Sequence, residues 1–334
     1  MLCEQFENQT GSRPRYPRWE GRLVMNNLDL TVVDALGLDI GGTKIAGARV
    51  APSGEVIAST SRPTTADNPE GILDALADIA TELGGSDIAP VAGLAVAAFL
   101  NRERDSIFFS PNIAWSNFPL KTAAEKRMGM SVVLENDANA AGWGEFRFGA
   151  AQDVSSMVML TVGTGVGGAL VDDGRLIVGG FGMAAELGHI IIEPGGRLCG
   201  CGNYGCLEQY ASGTALMRDA RERLGQDSLT QAELTDLIQQ GNPDALDSVE
   251  SIAHALGRGI ASLVAVTDPE LIVIGGGVAS AGDLLLRPIR ESFHSTYGAA
   301  TKRPVAEIVV ATMGNTAGVV GAAELARAHA RAGA

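Results

Sequence analysis

The chain has 334 residues, and 25 Lys+Arg against 39 Asp+Glu give a formal net charge of −14 with His neutral. So acidic a balance argues against polyanionic partners, and neither nucleic acid nor an anionic membrane surface is expected to bind. With 46% hydrophobic and 19% charged residues, 43 glycines and 5% aromatics, the composition excludes a disordered chain. It fits a glycine-rich α/β enzyme of one large or two ordinary domains.

Residues 1–33 carry Pro14, Pro17 and four arginines with neither helical nor alternating periodicity, so a poorly ordered extension is expected there, with Met25 a second candidate start. The segment lacks the apolar region of a secretory signal. No uninterrupted apolar run reaches the roughly 18–20 residues that cross a bilayer. A cytoplasmic protein is expected.

From residue 35 the pattern becomes regular. Ala35-Leu36-Gly37-Leu38-Asp39-Ile40 is a short apolar strand stopped by Gly41-Gly42, and strands at 45–50 and 56–59, around a Pro52-Ser53-Gly54 turn, complete a meander. Ile72, Leu73, Leu76, Ile79, Ala80 and Leu83 recur at helical spacing and predict an amphipathic helix ending at Gly84-Gly85. Buried strands are expected at 91–96 and 132–134. An apolar run at 157–162 then stops at Gly163-Thr164-Gly165-Val166-Gly167-Gly168, and strands at 169–172 and 175–178 flank an Asp173-Gly174 turn. Strand, glycine turn, strand, turn, strand is thus written twice, which predicts two similar α/β domains facing across a cleft. Helices are expected at 213–224, 230–240, 244–266, 281–293 and 316–332, with strands at 271–274 and 308–310.

The most specific motif is Cys199-x-Cys201-x4-Cys206, with His189 ten residues upstream of the first cysteine. Three thiolates and an imidazole form a closed tetrahedral set, which suits structural Zn²⁺ in a reducing compartment better than free thiols or a redox pair. The two glycine turns, Asp39-Ile40-Gly41-Gly42-Thr43-Lys44 and Gly163 to Gly168, each expose backbone N–H groups that can meet phosphate oxygens. Neither fits the P-loop pattern, because each joins strand to strand. An ordinary hairpin explains one such turn; two in duplicated positions point to phosphate binding. Gly275-Gly276-Gly277 lacks the full dinucleotide fingerprint and is expected to meet a nucleotide base or ribose.

Glu135-Asn136-Asp137 closes the 132–134 strand and precedes Ala138-Asn139-Ala140-Ala141. Asp137 is open to two readings, a helix N-cap or a carboxylate at the ligand-binding end of an α/β sheet. Glu186 and His189 fall in Glu-Leu-Gly-His, and Glu208 lies two residues past Cys206. If a metal gathers His189 with the cysteines, Glu208 and Glu186 converge beside it, an arrangement suited to a polyhydroxylated ligand whose hydroxyls need directional partners. No Ser/His/Asp triad is evident. His254, His294 and His329 read as helix residues without a chemical role.

Together, L-D-I-G-G-T-K, E-N-D-A-N-A-A, G-T-G-V-G-G, E-L-G-H and C-G-C-G-N-Y-G-C-L-E-Q-Y resemble the ROK family (repressor, open reading frame, kinase), and within it the ATP-dependent glucokinases of actinobacteria, over about residues 35–321. The resemblance implies an actin/hexokinase-like, duplicated two-domain α/β fold with ribonuclease H-like sheets and a sugar cleft between the domains. One domain would span 34–150, with the helix at about 316–332 packing back on it, and the other, bearing the zinc site, 151–315. It implies an enzyme that transfers the ATP γ-phosphate to the 6-hydroxyl of a hexose, glucose first. Asp137 would be the base, and Asn112, Asn136, Glu186, His189 and Glu208 would hold the sugar. Asp39 to Lys44 and Gly163 to Gly168 would bracket the phosphates, with Asp39 acting on Mg²⁺ through water. Gly275, Gly276 and Gly277 would meet adenosine, and His189, Cys199, Cys201 and Cys206 would bind zinc. A homodimer or homotetramer is implied as well.

One position departs from the family pattern: Ala98 stands where a glycine is usual in a loop that touches the sugar. The rival specificities are therefore N-acetylhexosamine and mannose. A sugar-sensing transcriptional repressor would need a winged helix-turn-helix, which 33 residues with two prolines cannot build. Polyphosphate as donor would want a basic groove that this acidic chain does not advertise.

Overall fold

The structure, a computed structural model, describes residues 24–25, 28–29, 33–85 and 88–332; the rest of the extension expected at 1–33 lies outside the described residues. Within that extension, β1 (Val24–Met25) and β2 (Leu28–Asp29) pair antiparallel, a short hairpin that the absence of periodicity did not anticipate. Two residues per strand leave no period to read.

The chain then builds β3 (Asp34–Ile40), β4 (Lys44–Val50), β5 (Val56–Pro63), α1 (Pro69–Leu83), β6 (Ile88–Val96), β7 (Phe99–Leu100), β8 (Ile107–Phe109), β9 (Ser116–Phe118), α2 (Leu120–Met128), β10 (Ser131–Asn136) and α3 (Asp137–Phe148). There follow β11 (Met157–Val162), β12 (Val166–Asp172), β13 (Arg175–Leu176), α4 (Glu208–Ala211), α5 (Gly213–Leu224), α6 (Gln231–Gln239), α7 (Pro243–Thr267), β14 (Leu271–Gly275), α8 (Asp283–Thr296), β15 (Glu307–Val310) and α9 (Ala317–Ala332).

Two five-stranded sheets result, ordered β10-β6-β3-β4-β5 and β13-β12-β11-β14-β15. Read from the meander inward, both have the same plan: an antiparallel trio, then two strands added parallel to its first strand. The written repeat of strand and glycine turn is this duplicated sheet. Parallel strands need cover on both faces, and the central β3, β6 and β14 are accordingly buried almost throughout. The amphipathic helix read from the sequence is α1, and its buried residues are Ile72, Leu73, Leu76, Ile79, Ala80 and Leu83, the six that carried the period. Pro69 occupies its first turn and the Asn68 side chain accepts from the Gly71 N–H, which sets its start.

The other face of the first sheet is covered by α9, after the chain has passed through the second sheet. The helix backbone comes so close to β3 and β6 that a Cβ at Gly37 or Gly93 would collide with the carbonyls of Val319 or Ala322. The second core is organised by α7, which is long and apolar enough to cross a bilayer, yet 61% of its most apolar window is packed inside the fold. Neither α2 nor the small sheet β7-β8-β9, whose strands are two or three residues long, was expected from the pattern of apolar residues.

Candidate active site

The carboxyl ends of the strands, where α/β sheets place ligands, open on a cavity of about 400 Å³. Asn136 and Asp137 enter it from the end of β10, the Gly163–Gly168 turn from between β11 and β12, and Glu186, His189 and Glu208 from the loops beyond. Asn112 and Ala98 complete the wall on the side of the first sheet.

Asp137 is the first residue of α3, but it is not the cap. Asn136 holds that position, its Oδ1 accepting the N–H groups of Ala138 (3.0 Å) and Asn139 (3.1 Å). The cap reading of Asp137 is thereby corrected: a residue with extended backbone just before the helix can turn its side chain back on the free N–H groups, and that residue is Asn136. The Asn136 Nδ2 reaches towards the Ala98 carbonyl (3.5 Å). Asp137 stays half-buried and faces the cavity. Burial raises its carboxyl above the usual carboxylate range, opposed by the backbone N–H groups at the helix start and by Asn136.

Asp39, near the end of β3, is a second carboxylate close enough to feel Asp137. Its pKa is raised to about 6, chiefly by burial and then by Asp137, with Lys44 opposing. Its Oδ2 lies against Gly318 in the first turn of α9. The turn that follows is a closed hairpin, Gly41 N–H donating to the Lys44 carbonyl (3.1 Å), and Gly42, Thr43 and Lys44 are exposed. It stands beside the cavity rather than in its lining, with Gly42 against Asn112.

The second glycine turn is braced from outside. Gly213 N–H donates to the Gly163 carbonyl (2.7 Å) and the Thr214 hydroxyl to the Thr164 carbonyl (2.7 Å), both from the start of α5. Glu208 accepts the Val166 N–H at 3.0 Å, and any Cβ at Gly165 would strike the same carboxylate. One Glu208 oxygen is thus committed to the turn, while the other lies 4.0 Å from the Cys199 Sγ. The carboxyl of Glu186 is raised by burial and by Asp137 and Glu208, with His189 opposing, so these four groups share one electrostatic environment.

Beyond Gly163 and Thr164 a larger cavity of about 750 Å³ opens, walled by α5 and α6 with Val278, Ser280 and Leu284. Gly277 lines it, Gly276 (φ 84°) lines the first cavity, and Gly275 is buried in the end of β14, so the three glycines mark the border between the two spaces. The contributions of Thr214, Met217, Arg218, Gln231 and Thr235 were missed in the sequence, where they read only as helix residues.

His189, Cys199, Cys201 and Cys206 come together with their ligand atoms all within 4.8 Å of one another. Cys199 Sγ lies 3.6 Å from His189 Nδ1, and Cys201 Sγ 3.6 Å from Cys206 Sγ. The bridges Ile191↔Cys206 and Leu198↔Tyr204 fold the segment into this shape. Three sulfurs and one ring nitrogen at this spacing fit a tetrahedral Zn²⁺. The His189 ring, while turning Nδ1 to Cys199, also lines the cavity.

Behind the cavity a buried carboxylate, Glu135, pairs with Arg104 (2.8 Å) and accepts from the Asn139 Nδ2 (3.0 Å) and the Asn136 N–H (2.9 Å). Neither Arg104 nor Glu135 was singled out from the sequence; an acid ending an apolar strand was the one available sign.

A family model described as ROK family matches residues 35–329. The glucokinase of Streptomyces coelicolor is 43% identical over 309 residues, covering 87% of this chain and 97% of that protein. The N-acetylmannosamine kinase of Shigella boydii is 34% identical over 300 residues, covering 87% and 98%. Among solved structures, a ROK family glucokinase from Streptomyces griseus in complex with glucose and AMPPNP matches with a TM-score of 0.80 at 40% identity, over 88% of this chain and 99% of that one.

Proposed function

The chain belongs to the ROK family, and on that premise we propose that it is a sugar kinase transferring the γ-phosphate of ATP to the 6-hydroxyl of a hexose, with glucose as first substrate. The observation that carries this reading is Asp137: freed from capping by Asn136, it faces a cavity lined by a glycine turn together with Glu186, His189 and Glu208.

Asp137 takes the proton from the 6-hydroxyl as that oxygen attacks in line. A base with a raised pKa lies nearer the working pH and transfers protons more effectively. Asn112, Asn136, Glu186, His189 and Glu208 orient the remaining hydroxyls, which brings the attacking oxygen to the phosphate without covalent help. The Asp39–Lys44 and Gly163–Gly168 turns hold the phosphates, and the larger cavity beyond Gly277 takes the adenosine. Asp39 is the residue that would hold Mg²⁺, and His189, Cys199, Cys201 and Cys206 those that would hold Zn²⁺. When bound, the first supplies charge neutralisation on the phosphates and the second a fixed anchor for the His189 ring.

The two sheets serve as lobes, residues 34–150 with 316–332 and residues 151–315, closing on the sugar to exclude water that would otherwise accept the phosphoryl group. A cytoplasmic homo-oligomer completes the reading, in keeping with the exposed Ile191, Leu198 and Tyr204 around the metal-ligand segment.

One observation favours a second specificity. Ala98 puts a methyl group on the cavity wall where the resemblance implies glycine, so mannose and N-acetylhexosamines belong in the test. ADP production is measured with glucose, mannose, fructose, N-acetylglucosamine and N-acetylmannosamine; glucose is expected to give the highest kcat/KM. A higher value for an N-acetylhexosamine would move the assignment to that class, and no turnover with any sugar would remove it.

A further inference from the structure

Arg104 lies in the turn between β7 and β8, away from the lining of either cavity. Its backbone is in the left-handed region (φ 55°), an arrangement that persists when the surroundings hold the side chain. The side chain is 14% exposed and that of its partner Glu135 8%. Three contacts use the guanidinium: Nη2 lies 2.8 Å from Glu135 Oε1, Nε donates to Glu135 Oε2 at 3.2 Å, and Nη1 donates to the Gly182 carbonyl at 2.6 Å.

These contacts lead in two directions. Glu135 also accepts the N–H of Asn136 and the Nδ2 of Asn139, the residues that flank Asp137. Gly182 belongs to the loop after β13 in the other sheet's unit, and that loop runs on through Ala184 and Ala185 to Glu186 and His189. Gly182 itself (φ 86°) is seated so tightly that a Cβ would come within 2.8 Å of the Asn101 and Arg102 backbone. A buried ion pair is a poor source of stability, since apolar side chains of similar volume often do as well. What a guanidinium adds is a planar fork of donors with fixed directions.

We propose that Arg104 is a positioning residue for phosphoryl transfer: it ties the 178–186 loop of one lobe to Glu135 of the other, so that a sugar held by Glu186 and His189 is presented to Asp137. This rests on the sugar-kinase reading. Arg104→Lys keeps a charge beside Glu135 but lacks the fork that spans Glu135 and Gly182. Gly182→Ala pushes the same loop away without touching any charge.

In both variants the KM for sugar is expected to rise about tenfold or more and kcat to fall, because small misplacements at the reacting atoms are expensive. The KM for ATP is expected to stay within about twofold, and amide hydrogen exchange over 178–186 to quicken. The double variant Arg104→Met with Glu135→Gln, which removes both buried charges together, should fold and share that kinetic pattern. Sugar KM and kcat unchanged in Arg104→Lys and Gly182→Ala would overturn the proposal, and so would a lower Tm accompanied by wild-type kinetics. If the wild-type chain turns over no sugar, the kinase reading fails instead; exchange over 178–186 then still tests the tie, and no change in Arg104→Lys would overturn it.

Discussion

At Asp137 the decisive fact is which of two neighbours does the capping. Asn136 accepts both N–H groups, so the carboxylate next to it is available for chemistry. Asp137→Asn keeps the size and the helix start, and kcat is expected to fall by about 10²–10⁴-fold, the usual share of a general base. Asp39 makes a second, separable prediction. Its carboxyl has a pKa of about 6 against an ordinary 3.8, so in the folded protein the charged form is disfavoured. Stability tied to this group is full below pH 4 and is lost as pH rises through 6. Asp39→Asn is therefore expected to raise Tm at pH 7.5 and to leave it unchanged at pH 4, while activity is lost at both. Equal melting temperatures for the two proteins at pH 7.5 would contradict the assignment. In the wild type, kcat/KM is expected to fall as pH drops through about 6, when Asp39 protonates; an acid limb near pH 4 would contradict this.

Among the elements, α3 links the site to the rest of the fold. Asp137 stands at its start, and Glu145, fully buried near its end, accepts the N–H groups of Ala150 (2.8 Å), Thr312 (3.1 Å) and Met313 (2.8 Å). These donors lie on the two stretches by which the chain passes from the first sheet to the second and back. Glu145→Ala orphans all three, and a loss of about 3 kcal/mol or more is expected in urea unfolding. A loss under 1 kcal/mol would show the stretches to be held otherwise. The segment from His189 to Cys206 makes its own prediction: Cys201→Ser is expected to lower both bound zinc, by metal analysis, and Tm. Full zinc content in that variant would remove Cys201 from the ligand set.

Elements of this kind differ in how far they could be read in advance. The cysteine spacing and the six apolar positions of α1 are local patterns, and the structure gathers each of them. The pair of Arg104 with Gly182 spans 78 positions, and the wall of the larger cavity is assembled from two helices whose polar residues look like ordinary surface. Neither leaves a periodic trace. Asn136 and Asp137 fall between these cases, since their types were legible while the division of labour between them depends on backbone angles.

On the scale of the molecule, the same sheet plan appears twice, and the site lies where the carboxyl ends of both sheets meet. Duplication explains why two glycine turns exist, but the halves have diverged in use: the first turn is an exposed hairpin, while the second is buttressed by Glu208 and α5. The chain leaves the first sheet through α3 and returns to it through α9, so the cavity is walled by segments of both sheets.

The most direct measurement follows glucose 6-phosphate and ADP formed from glucose and ATP by the wild-type chain and by Asp137→Asn, with glucose binding to both measured by calorimetry. The wild type should form both products in equal amounts, and the variant should bind glucose within a few-fold of the wild type while forming almost none. Undiminished product formation by Asp137→Asn would contradict the account at its centre.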